Sequence, residues 1–195
     1  MGLKEYRYSV LLVSYSEKFN QSLLNLMPES RYDTVTVARD VSSARRFLLE
    51  NSFDIVIINT PLPDDFGTRL ALDICEGSGS GILLLTKAEH YPDINARVSP
   101  YGVLVVPKPT SPQMITQSLI LLCSTRERLR RMEQKTASIE EKMEEIRIVN
   151  RAKCLLIEQL KMTESEAHRY IEKQAMDRCV TRRIIAEKII STYNG

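Results

Sequence analysis

Up to Ser111 the chain alternates short, nearly continuous apolar runs with stretches whose apolar residues recur every three or four positions. The runs at residues 8–14, 34–38, 54–59, 81–86 and 101–107 have the length and β-branched content of strands buried on both faces. Between them, residues 17–28 place Phe19, Leu23, Leu24 and Met27 on one helical face, and residues 41–50 do the same with Val41, Ala44, Phe47 and Leu48. Residues 68–76 predict a third helix, set off from the third strand by the loop-forming Pro61-Leu-Pro-Asp-Asp-Phe-Gly67. Only a short polar segment is expected between the fourth and fifth strands. Strand and helix alternating in this way predict an α/β fold with a doubly wound, five-stranded parallel sheet.

Beyond Ser111 the pattern changes. No Gly or Pro occurs from residue 113 to 194, and helical spacing runs from Gln113 towards Leu160. Alternate steps of three and four from Leu129 reach Met132, Thr136, Ile139, Met143, Ile146 and Asn150, an a/d seam with two polar occupants. The seam predicts a coiled-coil homodimer through Leu129, Met132, Ile139, Met143 and Ile146, with Asn150 fixing the register. Thr163-Glu-Ser-Glu166 has the form of a capping box and predicts a new helix, with Ala167, Tyr170, Ile171 and Ala175 as its buried face. Ile184, Ile185, Ile189 and Ile190 mark a last helix, so the long coiled-coil helix is expected to end in a three-helix bundle. The expected divisions fall at residues 1–122, 123–146 and 147–195.

Composition narrows the function classes. Of the 195 residues 43% are apolar and 27% charged, and no apolar run approaches the ~20 residues needed to span a bilayer. The opening Met1-Gly-Leu-Lys-Glu-Tyr6 lacks the apolar stretch of a signal peptide, so a cytoplasmic protein is expected, away from membranes. Cys75, Cys123, Cys154 and Cys179 show neither metal-ligand spacing nor a disulfide framework, so reduced thiols and no metal are expected. Net charge is +2, but it is unevenly spread: residues 1–125 sum to −2, 126–145 to zero and 146–195 to +4. A basic tail of this kind suits a polyanion.

The order of strands and loops over about residues 7–125 resembles the receiver domain of bacterial response regulators. Thr86 and the Lys108-Pro109 pair match the receiver pattern. Strand one, however, ends in Ser14-Tyr15-Ser16 where acidic residues are expected, and Asp54-Ile-Val-Ile-Ile-Asn59 places Asn59 where the resemblance implies a phosphate-accepting Asp. Phosphoryl transfer needs an anionic nucleophile and a divalent cation held by carboxylates. An amide and hydroxyls supply neither, so the set Ser14, Tyr15, Ser16, Asn59, Thr86 and Lys108 predicts a degenerate phospho-acceptor pocket, a pseudo-receiver. Asp64 and Asp65 read as loop formers. A regulatory ligand or protein on this domain would have to replace phosphorylation.

The tail segments Ile148-Val-Asn-Arg-Ala-Lys-Cys-Leu-Leu-Ile157, Met162-Thr-Glu-Ser-Glu-Ala-His168 and Gln174-Ala-Met-Asp177 resemble the ANTAR domain of antitermination regulators. Cys154 and His168 depart from that pattern. The resemblance implies binding of paired RNA hairpin loops in a leader transcript, preventing a terminator hairpin from forming. Cations suited to phosphates are Arg151, Lys153, Arg169, Lys173, Arg178, Arg182 and Arg183, with Arg169 and Lys173 one turn apart. Ala152 and Ala175 read as tight helix contacts, and Glu158, Glu164 and Glu172 as solvated positions. Two other readings stay open: a DNA-binding response regulator with a basic three-helix tail, and an interaction protein whose coil and tail only dimerise or dock. An enzyme is not expected, because Thr86 and Lys108 lack a carboxylate nucleophile and no cofactor-binding loop is present.

Overall fold

A computed structural model describes residues 6–193. The first five residues, part of the segment read above as lacking a leader, fall outside that range. The chain forms two compact units, one up to Arg131 and one from Met132.

In the first unit β1 (Tyr8–Val13), β2 (Tyr32–Ala38), β3 (Ile55–Asn59), β4 (Gly81–Lys87) and β5 (Leu104–Lys108) make one parallel sheet in the order β2-β1-β3-β4-β5. Parallel strands need crossovers, and these supply cover for both faces. Helices α2 (Val41–Glu50), α3 (Thr68–Gly77) and α4 (Tyr91–Val98) pack on Leu11, Val13, Val56, Ile58, Ile82 and Leu84. Helix α1 (Glu17–Leu24) and the start of α5 (Pro112–Leu160) pack on Val10, Leu12, Ile55, Ile57, Leu83 and Leu85. Successive residues of β1, β3 and β4 therefore enter opposite cores, which is why these strands read as unbroken apolar runs rather than alternating ones.

In the first unit the structure departs from the sequence reading at α4, at the start of β5 and at the end of α1. Where a polar segment was expected, Tyr91–Val98 is helical; its buried face is only Ile94 and Val98, one turn apart, too short for periodicity to register. Strand β5 begins at Leu104 rather than Tyr101, because Ser99–Tyr101 form a 3₁₀ turn closed by Gly102 at φ 88°. Helix α1 stops at Leu24, and tight bonds from the Leu26 and Met27 amides to the Leu23 and Leu24 carbonyls follow it; the residue before Pro28 is disfavoured in the helical region.

The second unit comprises the end of α5 with α6 (Glu164–Asp177) and α7 (Arg182–Tyr193), packed around Ala152, Leu156, Ala167, Ile171, Ala175, Ile185, Ala186 and Ile189. The predicted capping box opens α6: the Glu166 amide donates to Thr163 Oγ1 at 3.3 Å and the Thr163 amide to Glu166 Oε2 at 2.8 Å. These backbone and side-chain donors hold the Glu166 carboxyl below its usual pKa. The breaks flanking α6 use left-handed residues that are not glycine, Lys161 at φ 55° and Cys179 at φ 52°. At the second, the Cys179 amide donates to the Met176 carbonyl and the Val180 amide to the Ala175 carbonyl, the paired bonds of a Schellman motif. Tyr170 is not in the buried face as expected: Ala167, Ile171 and Ala175 form it at four-residue spacing, and Tyr170 lies about 100° round from Ile171. Ile184 is likewise exposed. Along α5 every residue from Arg131 to Glu144 is exposed in the single chain. No helix among the described residues is long and apolar enough to cross a membrane.

Candidate nucleic-acid interface

At the carboxyl ends of β1, β3, β4 and β5 the structure gathers four of the six residues read as the degenerate pocket. The Asn59 amide Nδ2 donates to Ser14 Oγ at 3.0 Å, and the Lys108 ammonium donates to Asn59 Oδ1 at 2.7 Å and to the Thr60 carbonyl. Thr86 is fully buried, and its hydroxyl has no hydrogen-bond partner among the described residues. Burial, with a smaller push from Lys87, holds the Lys108 ammonium below the usual lysine pKa. Tyr15 points away and is 65% exposed, while Ser16 caps α1 by accepting from the Phe19 amide. Lysine thus meets neutral oxygens where a nucleophilic carboxylate would have to stand.

The two loop aspartates have structural partners. Asp64 accepts from the Val41 and Ser42 amides at 2.9 and 3.0 Å, closing the start of α2, and these bonds hold its carboxyl below the usual range. Asp65 accepts from the Gly67 amide at 2.7 Å. Gly67 sits at φ 79°, where an added Cβ would come within 2.8 Å of Ile58 Cγ2.

A cluster absent from the sequence reading lies at the opposite, amino-terminal ends of the inner strands β1 and β3. Asp54, nearly buried, accepts from the Ser9 amide and hydroxyl, from the Tyr6 hydroxyl through both carboxylate oxygens at 3.0 Å, and pairs with Arg126 at 3.5 Å. The Arg130 guanidinium lies 4.1 Å from the centre of the Tyr6 ring. Two arginines of α5 are thereby clasped to β1 and β3 where the helix leaves the sheet. Partners 45 or more residues apart leave no local pattern in a sequence.

In the tail, the seven cations read as RNA ligands separate into two groups. Arg151, Arg169, Lys173 and Arg178 are exposed and form no ion pair among the described residues. Arg169 and Lys173 share the outer face of α6, opposite Ala167 and Ile171. Lys153 is mostly covered and pairs with Glu164 at 3.2 Å; Arg182 reaches Glu145 and Glu172 at 3.7 and 3.9 Å; Arg183 pairs with Glu187 at 2.8 Å. Glu164 and Glu172 are therefore ion-pair partners, not merely solvated positions. Ala152 and Ala175 are buried in the helix contacts, as their size suggested. Lys188 joins the unpaired cations although the spacing argument passed over it.

A receiver-type sheet whose fifth helix continues into a small helical module defines the class of a response regulator. Residues 137–190 match the ANTAR domain. The combination is similar to that of ANTAR response regulators. The chain is similar to the transcriptional regulatory protein PdtaR of Mycobacterium tuberculosis, with 28% identity over 184 residues spanning 94% of this chain and 89% of that protein. Its fold is similar to the signal receiver domain of an HD domain-containing protein from Pseudomonas fluorescens Pf-5, at 25% identity and TM-score 0.59, over 67% of this chain and 97% of that one. The non-phosphorylated HemR receiver domain from Leptospira biflexa, also 25% identical, aligns with TM-score 0.53 over 60% of this chain and 94% of that one.

Proposed function

We propose that the protein is a cytoplasmic, RNA-binding transcription antiterminator that grips hairpin loops of a leader transcript and so prevents a terminator from forming. The observation that carries this reading is the ANTAR match over residues 137–190, on a helical unit whose Arg151, Arg169, Lys173 and Arg178 stand exposed without carboxylate partners. Unpaired cations on a rigid helical face are what phosphate contacts require. Residues 147–195 serve as the RNA-binding module, 123–146 as a dimerising coil and 1–122 as the receiver-like domain. The seam residues Leu129, Met132, Ile139, Met143 and Ile146 are between 39% and 59% exposed in the single chain, which leaves an apolar stripe for a second copy.

The receiver-like domain acts here as a scaffold and not as a phosphoacceptor. Its pocket contacts pair Lys108 with an amide and a carbonyl, and a hydroxyl stands at Ser14. Incubation with Mg²⁺ and acetyl phosphate yields no acyl phosphate on this reading. The central test is a gel shift comparing a leader RNA carrying two hairpin loops with duplex DNA of equal length. RNA is bound more tightly, and Arg169→Ala with Lys173→Ala weakens binding while flattening its salt dependence by roughly one to two units of log–log slope. Preference for duplex DNA would sink the proposal.

A further inference from the structure

The module leaves open a cleft of about 160 Å³ between the end of α5, α6 and α7. That is the space of roughly five water molecules, room for one flat heterocycle. Its floor is apolar, made by Leu156, Ile185 and Ile189, which belong to the tail's core. Its walls carry two tyrosines that the core does not absorb, Tyr170 at 39% and Tyr193 at 37% exposure. Tyr193 extends the buried Ile185 and Ile189 line by one further turn of α7, past the last residue that covers it. Neither ring packs against another aromatic ring among the described residues. Gln174 and Arg178 follow Tyr170 at successive four-residue steps along α6, and Lys188 stands across from them on α7. Neither Arg178 nor Lys188 has a carboxylate partner among the described residues.

The two rings and the two cations stand outside the core and have a use together in one setting. Half-exposed rings give a stacking surface, the Gln174 amide offers a donor and an acceptor to a base edge, and two unpaired cations line the same cleft. An acidic peptide would use the cations and leave the rings idle, and an apolar partner would bury the cations unpaired. Resting on the RNA reading above, we propose that this cleft is a base subsite: it takes one unstacked loop nucleotide between Tyr170 and Tyr193, with its phosphate on Arg178 and Lys188.

The test uses the full chain and a two-hairpin leader RNA with 2-aminopurine placed at successive loop positions. Binding quenches the probe at one position in wild-type protein, and Tyr170→Leu with Tyr193→Leu loses that quench together with roughly five- to hundredfold in affinity, at unchanged salt slope. Tyr170→Phe, which keeps the ring, recovers most of the affinity lost in Tyr170→Leu. Arg178→Ala instead lowers the log–log salt slope by about one phosphate contact. Circular dichroism of each variant checks that the helices persist. Wild-type affinity and quench in the Tyr170→Leu, Tyr193→Leu protein would overturn the subsite while leaving RNA binding intact. Failure of the wild-type chain to bind the RNA at all would overturn both.

Discussion

Replacing Ile139 with Asp is the sharpest probe of the coil. Ile139 sits at the middle of the seam and is 48% exposed in the single chain, and every residue between Arg131 and Glu144 is exposed. Complete burial of such a side chain stabilises by about 1.5–3 kcal/mol, so covering the exposed half contributes roughly 1 kcal/mol per residue. Five seam residues on each of two chains then contribute about 10 kcal/mol to dimerisation, against an association cost of at least ~4 kcal/mol. Ile139→Asp removes about 2 kcal/mol of this across the pair and sets two carboxylates face to face in an apolar layer, for a total of about 4 kcal/mol or more. The dimer dissociation constant should rise about a thousandfold. Sedimentation equilibrium from about ten micromolar to about one millimolar follows the wild-type dimer, and the variant should stay monomeric throughout, with Glu141→Gln, off the seam, as the control. Far-UV dichroism should report some loss of helix in the monomeric variant, because an uncovered stretch of this length is marginal in water. A wild-type chain that stays monomeric at about one millimolar, or an Ile139→Asp chain that dimerises like wild type, would refute the coil.

Three further outcomes are expected. Cys179→Gly should stabilise the tail by about 0.5–1 kcal/mol in urea denaturation, because φ 52° costs a side chain more than glycine's extra unfolded entropy; a lower midpoint would count against the strain. Asp64→Ala should cost about 1 kcal/mol near neutral pH by leaving the Val41 and Ser42 amides of the first turn of α2 without their acceptor. Since the folded pKa of Asp64 is depressed, that contribution is complete above the ordinary carboxyl range and fades as pH falls through the depressed value, so wild type and variant should converge in acid; a gap constant down to low pH would contradict this. Asn59→Asp should gain an ion pair with Lys108 yet stay inert to acetyl phosphate and Mg²⁺, because Ser14 and Ser16 still offer hydroxyls to a metal; a phosphoryl adduct by intact mass would show the pocket to be one substitution from function.

The strands were legible because burial on both faces writes itself as unbroken runs such as Val10 to Val13 and Ile55 to Ile58. Helix α4 was not, since two buried residues cannot establish a period. The start of α6 was visible in Thr163 and Glu166, whose side chains make the cap themselves. Its far end carried no glycine to mark it, because Cys179 takes the left-handed position that glycine usually fills. In the candidate interface, counting charge found the cations but could not tell Arg169 from Arg182: pairing with Glu145 and Glu172 depends on which helices meet. Tyr170 was misplaced for a related reason, as spacing alone admits it to an apolar face that Ala167, Ile171 and Ala175 already complete.

The numbers for the coil connect dimerisation to RNA. A gross gain of about 10 kcal/mol less an association cost of ~4 kcal/mol or more leaves a dimer held in the tens-of-micromolar range or weaker, before any ordering cost of the helix is charged. Two modules on one dimer matched to two loops on one transcript make the second contact intramolecular, so the RNA adds its own binding energy to the protein–protein equilibrium. Linkage then works in both directions: the transcript strengthens the dimer by the same factor by which the dimer strengthens transcript binding. A protein built this way needs no phosphoryl switch to respond sharply. On the proposed reading its own abundance would set the fraction of assembled grips, while the Asp54, Tyr6, Arg126 and Arg130 clasp ties the start of α5 to the first unit.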